Sequence, residues 1–225
     1  MAEPSAIWSQ RKITTNRAIS LTQNVILSYA RDALTTVIAR IDRLYQIVKP
    51  PDIKLPIAVV VDAEVPPLLT DLIYQQGLAS LLLFNDSPKS RSENGAAYKS
   101  RTERAAYVKE RCKKISTQLL SNRKVRNSLT HLDEYLVKEL ARENTGWFID
   151  VVVVRRNEFK PQRAVNVRYC RSYIMEEDVL LHFDNEIKLS ALKEECENVL
   201  EAVWRDDDVG YYSGPLYDPG VGPNT

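Results

Sequence analysis

Residues 126–136 read RNSLTHLDEYL and sit inside the strongest helical pattern of the chain, which holds one of its two histidines. At 100° per residue, Val125, Leu129, Leu132, Leu136 and Leu140 fall within about 80° of one another, the apolar stripe of a core-facing helix. Arg126, Asn127, Thr130, His131 and Glu134 fan across roughly 140° of the opposite face, with Arg126 at one margin and His131 at the other. Asn127 and His131 are four apart and therefore stacked neighbours. The pattern predicts a helix to about residue 143, stopped by Asn144-Thr145-Gly146.

Upstream of this stretch the charge is strongly one-sided. Between Ala97 and Arg126 there are ten cations (Lys99, Arg101, Arg104, Lys109, Arg111, Lys113, Lys114, Arg123, Lys124, Arg126) against Glu103 and Glu110, a local balance of +8. Residues 96–120 are predicted helical with this basic block on the outer face, and Ser121 or Asn122 caps the turn into the next helix. Local basic density is what phosphate contact needs, although a solvated helix face is the commoner reason for a charge run. Residues 85–95 (NDSPKSRSENG) consist almost wholly of turn and charged residues and predict a mobile loop. Further back, residues 19–48 repeat apolar groups at helical period until Pro50-Pro51 ends them. Residues 57–61 are a β-branched run that suits a strand. Val65-Pro66-Pro67 starts a second, well-buried helix through residues 68–84.

Downstream the texture changes. Residues 147–154 (WFIDVVVV) are β-prone, residues 164–173 alternate in part, and residues 178–183 (DVLLHF) lead through Asp184-Asn185 to a last helix over 189–203. A small antiparallel sheet or hairpin with a closing helix is predicted. A second basic set (Arg155, Arg156, Lys160, Arg163, Arg168, Arg171) faces only Glu158 in its own stretch, whereas residues 184–208 are rich in acid. His182 stands in an apolar strand and is expected to be a core histidine. The chain thus divides into an N-terminal arm (1–18), one mainly α domain (19–203) with a β part at about 147–183, and a flexible Gly-, Pro-, Tyr- and Asp-rich tail (204–225).

Composition removes several function classes. A 44% hydrophobic, 27% charged chain of 225 residues with net charge +1 has enough apolar material for a real core. It lacks an eighteen-residue apolar run and a basic-then-apolar leader, so a cytoplasmic chain with no membrane role is expected. Cys112, Cys170 and Cys196 form no C-x-x-C pair, and two distant histidines meet no ligand spacing, so neither a disulfide framework nor a metal site is expected. With 7 glycines and no glycine-rich phosphate loop, nucleotide hydrolysis by that route is disfavoured, and no cofactor is expected.

The string Arg126-Asn127 followed by His131, then a Leu-Asp-Glu tract, resembles the motif of the HEPN superfamily of helical domains: Arg, a polar residue, then His after four to six residues. The likeness runs loosely over residues 19–203 and is sharp at the motif. It implies an antiparallel helical bundle with a small C-terminal sheet and closing helix. It also implies a metal-independent endoribonuclease, related to toxins, phage defence or RNA processing. On this resemblance His131 is the base or acid, Arg126 the clamp on the phosphate, and Asn127 the residue that orients either. Lys113, Lys114, Arg123 and Lys124 are then the candidate RNA-binding cations. The resemblance further implies a homodimer with motif helices near the two-fold axis, with an antitoxin or other regulatory protein as a further partner. Asp133 stands where some members carry a modifiable Tyr, so that regulation is not carried over. The alternatives are a non-catalytic HEPN module that binds RNA, a nucleotide or a protein, and a purely structural helical interaction protein.

Overall fold

The computed structural model describes residues 21–49, 59–60, 62–122, 124, 127, 131–141, 145–149, 152–153, 155 and 166–204. The arm, the tail beyond Trp204, and Arg123 and Arg126 lie outside the described residues. What is described is mainly helical, with a small sheet and a closing helix.

Helix α1 (Leu21–Ile47) buries Leu27, Ala30, Leu34, Val37, Ile41 and Leu44 along one stripe. Val25 faces outward, since it lies well round the helix from Leu27 and Leu34. Helix α2 (Val65–Phe84) opens with two prolines in a first turn whose N–H groups have no intrahelical acceptor in any case. Ion pairs Arg40–Asp71 at 2.6 Å and Arg43–Glu64 at 2.7 Å set α2 antiparallel to α1. Leu69, Leu72, Ile73, Ala79 and Leu83 face into the same core.

Helix α3 (Gly95–Arg111) is capped by Asn94, whose side chain accepts from Ala97 N at 2.7 Å. The single helix predicted over 96–120 is in fact two. Buried Cys112 ends α3, the chain turns through residue 117, and a one-turn helix α4 (Gln118–Ser121) follows. The basic block is not all on the outside either: Arg104 is buried and its Nε donates to Leu82 O at 2.6 Å, while Arg101 turns toward the loop before α3. Helix α5 (Leu132–Leu140) comes next and is shorter than expected.

The C-terminal region contributes strands β2 (Thr145–Ile149), β3 (Val152–Val153), β4 (Asn166–Tyr169), β5 (Ser172–Ile174), β6 (Val179–His182) and β7 (Asn185–Lys188), then α6 (Leu189–Trp204). The β part therefore runs to Lys188, and Trp204 belongs to α6 rather than to the tail. Strands β5, β6 and β7 form an antiparallel meander. Parallel β3 extends it, and β1 (Val59–Val60), the strand predicted between α1 and α2, closes that edge antiparallel to β3. A separate pair, β2 and β4, is parallel, so the sheets are mixed rather than purely antiparallel. Register aligns Val152, Tyr173, Leu180 and Ile187 as one buried cross-strand row, and all four belong to the core that the helices fill.

Asp178 fastens this sheet to the helices. Its carboxylate accepts from Tyr45 Oη at 2.7 Å, Tyr173 Oη at 3.0 Å and Ser190 N at 2.8 Å, and its carbonyl accepts from Leu189 N at 3.0 Å. The first turn of α6 is thus capped by a residue of the β5–β6 turn, where the Lys188 side chain could not supply an acceptor. Among the described residues no helix is long and apolar enough to cross a membrane.

Candidate functional site

The candidate segment hangs from α4, and α4 is held at both ends by side chains from other helices. Thr117 at its start makes no side-chain cap. Glu195 of α6 replaces that cap, accepting from Leu119 N at 2.9 Å, Leu120 N at 3.0 Å and Ser116 Oγ at 2.6 Å. At the other end Gln76 of α2 donates from Nε2 to Leu119 O at 2.8 Å and Asn122 O at 3.1 Å, with a longer contact to Leu120 O at 3.4 Å. Both side chains are buried. Orphan amides and carbonyls of a one-turn helix are satisfied from outside, which a four-residue segment cannot do for itself.

Asn122 then takes the amide of Lys124 at 3.0 Å and turns the chain toward the motif. Helical bonds run from His131 N to Asn127 O and from Tyr135 N to His131 O, each 3.0 Å. Asn127 and His131 therefore stand one turn apart, both exposed, as their spacing predicts. Glu134 Oε1 lies 3.3 Å from His131 Nδ1, with the imidazole 54% exposed. That carboxylate faces the histidine three residues before it. One turn on, Tyr135 stacks on Phe183 with centroids 5.5 Å apart, tying α5 to the β6–β7 turn. Phe183 holds φ 53 there, a left-handed backbone that bulky residues rarely adopt.

The apolar side of α5 departs from expectation. Leu132 and Leu136 are half-buried, but Leu140 of the predicted stripe is 65% exposed; Val137, which lies about 60° outside that stripe, is 68% exposed. Val125 and Leu129 of the predicted stripe lie outside the described residues. The stripe is thus only partly covered.

The predicted RNA-binding cations also divide. Lys113 pairs with Glu110 on the surface, whereas Lys114 and Lys124 are exposed and enter no ion pair among the described residues. Most of the remaining block is engaged: Lys99 with Glu103, Arg101 with Glu93, Lys109 with Asp86, and Arg111 over the ring of Tyr107. In the second basic set, Arg155 pairs with Glu176 at 2.7 Å, and Arg171 donates to Thr70 Oγ1 at 2.9 Å.

His182 is fully buried, its Nδ1 accepts from Arg171 N at 3.3 Å, and its ring lies 4.7 Å from that of Phe183. It is the core histidine that its apolar strand predicts. Cys112, Cys170 and Cys196 are free and buried, and burial pushes the Cys112 thiol up to about 11 and the Cys196 thiol up further still. Neither of these two raised thiols is a poised nucleophile. Among the described residues no group of His, Cys, Asp or Glu is arranged to hold a metal ion. Comparison with family models, curated proteins and solved structures finds no match for the chain.

Sequence reasoning missed Glu195, Gln76 and Asp178. For the first two a signal existed. Glu195 falls on the stripe Leu192, Cys196, Val199, and Gln76 on the stripe Leu69, Leu72, Ile73, Ser80, Leu83, so each is a polar residue at a core position.

Proposed function

We propose that this chain is a metal-independent endoribonuclease that works as a homodimer, with His131 as acid or base. The single observation that carries this reading is the exposed turn on which Asn127 and His131 stand together, with the Glu134 carboxylate beside Nδ1. A carboxylate on one ring nitrogen orients the imidazole and leaves Nε2 to exchange a proton with substrate. In the reaction the 2′-oxygen attacks the adjacent phosphorus and gives its proton to the base. The bond to the 5′-oxygen breaks, and an acid protonates that leaving oxygen. The products are a 2′,3′-cyclic phosphate and a 5′-hydroxyl, so the substrate is RNA. Arg126, which lies outside the described residues, is assigned from its motif position as the cation on the phosphorane, and Asn127 as the group that orients histidine or phosphate.

Base and acid are two roles, and each chain offers one exposed histidine among its described residues. A two-fold pairing of motif segments supplies the second. Labelled RNA incubated with the protein in EDTA is expected to be cut, and His131→Ala and Arg126→Ala to slow cutting by about 10²–10⁴-fold. Cleavage that survives both substitutions overturns the mechanism. Gel filtration giving a monomer under all conditions overturns the dimer.

A second reading is a non-catalytic module that binds a protein partner. It is favoured by the open Val137 and Leu140 next to the site and by the pairing of most α3 cations with carboxylates. A wild type that neither binds nor cuts RNA would select it.

A further inference from the structure

The loop between α2 and α3, residues 85–94, is clamped by α3. Arg101 binds Glu93 through Nε and Nη2, both at 2.9 Å, and donates to Asn85 O at 2.8 Å and Ser87 O at 3.1 Å. Lys109 pairs with Asp86, and Glu93 N closes a turn on Ser90 O at 3.2 Å. A loop whose composition predicts mobility is therefore fixed by one arginine.

This clamp has an electrostatic result. The loop contains two carboxylates, Asp86 and Glu93, and cations of α3 match both. Its own two cations, Lys89 and Arg91, are left at the tip, exposed and without an ion pair among the described residues, alongside exposed Pro88, Ser90 and Ser92. Lys99, Arg101 and Lys109 of α3 thus face carboxylates, whereas Lys89 and Arg91 at the loop tip form no ion pair among the described residues.

We propose that the tip Lys89-Ser90-Arg91-Ser92 binds the phosphodiester backbone of RNA, an inference that rests on the nuclease reading and names where its substrate is held outside the cutting site. Phosphate is contacted by Lys, Arg and hydroxyl side chains, which is the chemistry of this tip. A protein partner is anchored by Trp, Tyr or Arg packed in a desolvated pocket, and residues 88–92 offer no aromatic or large aliphatic side chain to build one around Arg91. Cations on a pre-formed loop also lose less conformational freedom on binding than cations on a floppy one.

The test uses the full chain and a single-stranded 2′-O-methyl RNA, which binds but cannot be cut by 2′-OH attack, followed by fluorescence anisotropy over a salt series. The double change Lys89→Ala, Arg91→Ala is expected to weaken binding by about tenfold or more and to lower the log–log salt slope by about 1.4, two phosphates at roughly 0.7 each for a single strand. Lys188→Ala, an exposed cation on β7, should leave affinity within about twofold. Wild-type affinity and slope in the double variant overturn this inference while RNA cutting by the wild type keeps the nuclease reading. A wild type that neither binds nor cuts RNA sinks both. Binding of poly-glutamate, but not RNA, that is lost in the double variant assigns the loop to an acidic protein and overturns the inference.

Discussion

Helices α1 and α5 are both amphipathic, yet one hides its stripe and the other leaves much of it open. Helix α1 is 27 residues long and is packed by α2 and α6, with Arg40–Asp71, Arg43–Glu64 and Asp42–Lys193 pairs along its flanks. Helix α5 is 9 residues long, and its described tether is the Tyr135–Phe183 stack. An apolar stripe states which face of a helix gains from leaving water, at about 25 cal/mol per Å². Whether that gain is collected depends on a partner surface large enough to cover it. On α5 the partly uncollected gain lies on the helix that directly follows His131, so an adhesive surface and a candidate reactive group adjoin one another.

The contrast breaks first at the core. Leu34→Ala or Leu72→Ala removes a fully buried side chain from the α1–α2 contact and should cost about 3–5 kcal/mol in urea unfolding. A cost under about 1 kcal/mol would show that this pair is no better packed than α5. Next in size is Glu195→Ala, which strands two buried amides and the Ser116 hydroxyl at the start of α4. The expected loss is about 2–3 kcal/mol, with part recovered in Glu195→Gln, which keeps one acceptor oxygen. A smaller loss, accompanied by unchanged amide protection at Leu119 and Leu120, would mean that α4 needs no outside cap.

These polar clamps also explain how much of the molecule the sequence discloses. Periodicity and prolines suffice for α1, α2 and α6, because long helices with a wide stripe repeat their signal many times. Strand β7 (Asn185–Lys188) is invisible for the opposite reason: four residues reading NEIK carry one apolar side chain, and its place is set by pairing with β6. The break between α3 and α4 is equally hidden, since it is Glu195, 75 residues from Leu120, that makes a separate one-turn helix tenable. At the candidate site the Asn127–His131 pairing was legible because i, i+4 neighbours are a local property of any helix. Which cations are free was not legible, because Arg101, Arg104 and Lys109 find their partners across the fold.

Base should weaken the α1 side of the comparison. Burial raises the thiols of Cys112 and Cys196, and burial with the Asp178 contact raises the hydroxyls of Tyr45 and Tyr173. A group whose folded pKa is raised keeps its contribution below the unfolded value and loses it as pH climbs toward the folded one. For Cys112, from 9.0 to about 11, that window is pH 9 to 11 and the loss is roughly 2–3 kcal/mol. Urea midpoints should therefore fall over that window, and less steeply in Cys112→Ala. A flat profile would remove the burial argument for these four groups.

The smallest expected effect on stability is the most informative for α5. Changing Val137 and Leu140 together to Ser touches two side chains that are more than half exposed and should move the unfolding free energy of the monomer by less than about 0.5 kcal/mol. If the open apolar surface of Val137 and Leu140 is where two copies meet, the same double change should convert a dimer to a monomer on gel filtration and take RNA cutting with it, since base and acid then come from different chains. A dimer that survives the change puts the two-fold contact elsewhere and leaves the stripe for another protein. A loss of more than about 1 kcal/mol in a chain that was monomeric from the start would mean that α5 buries its stripe as α1 does.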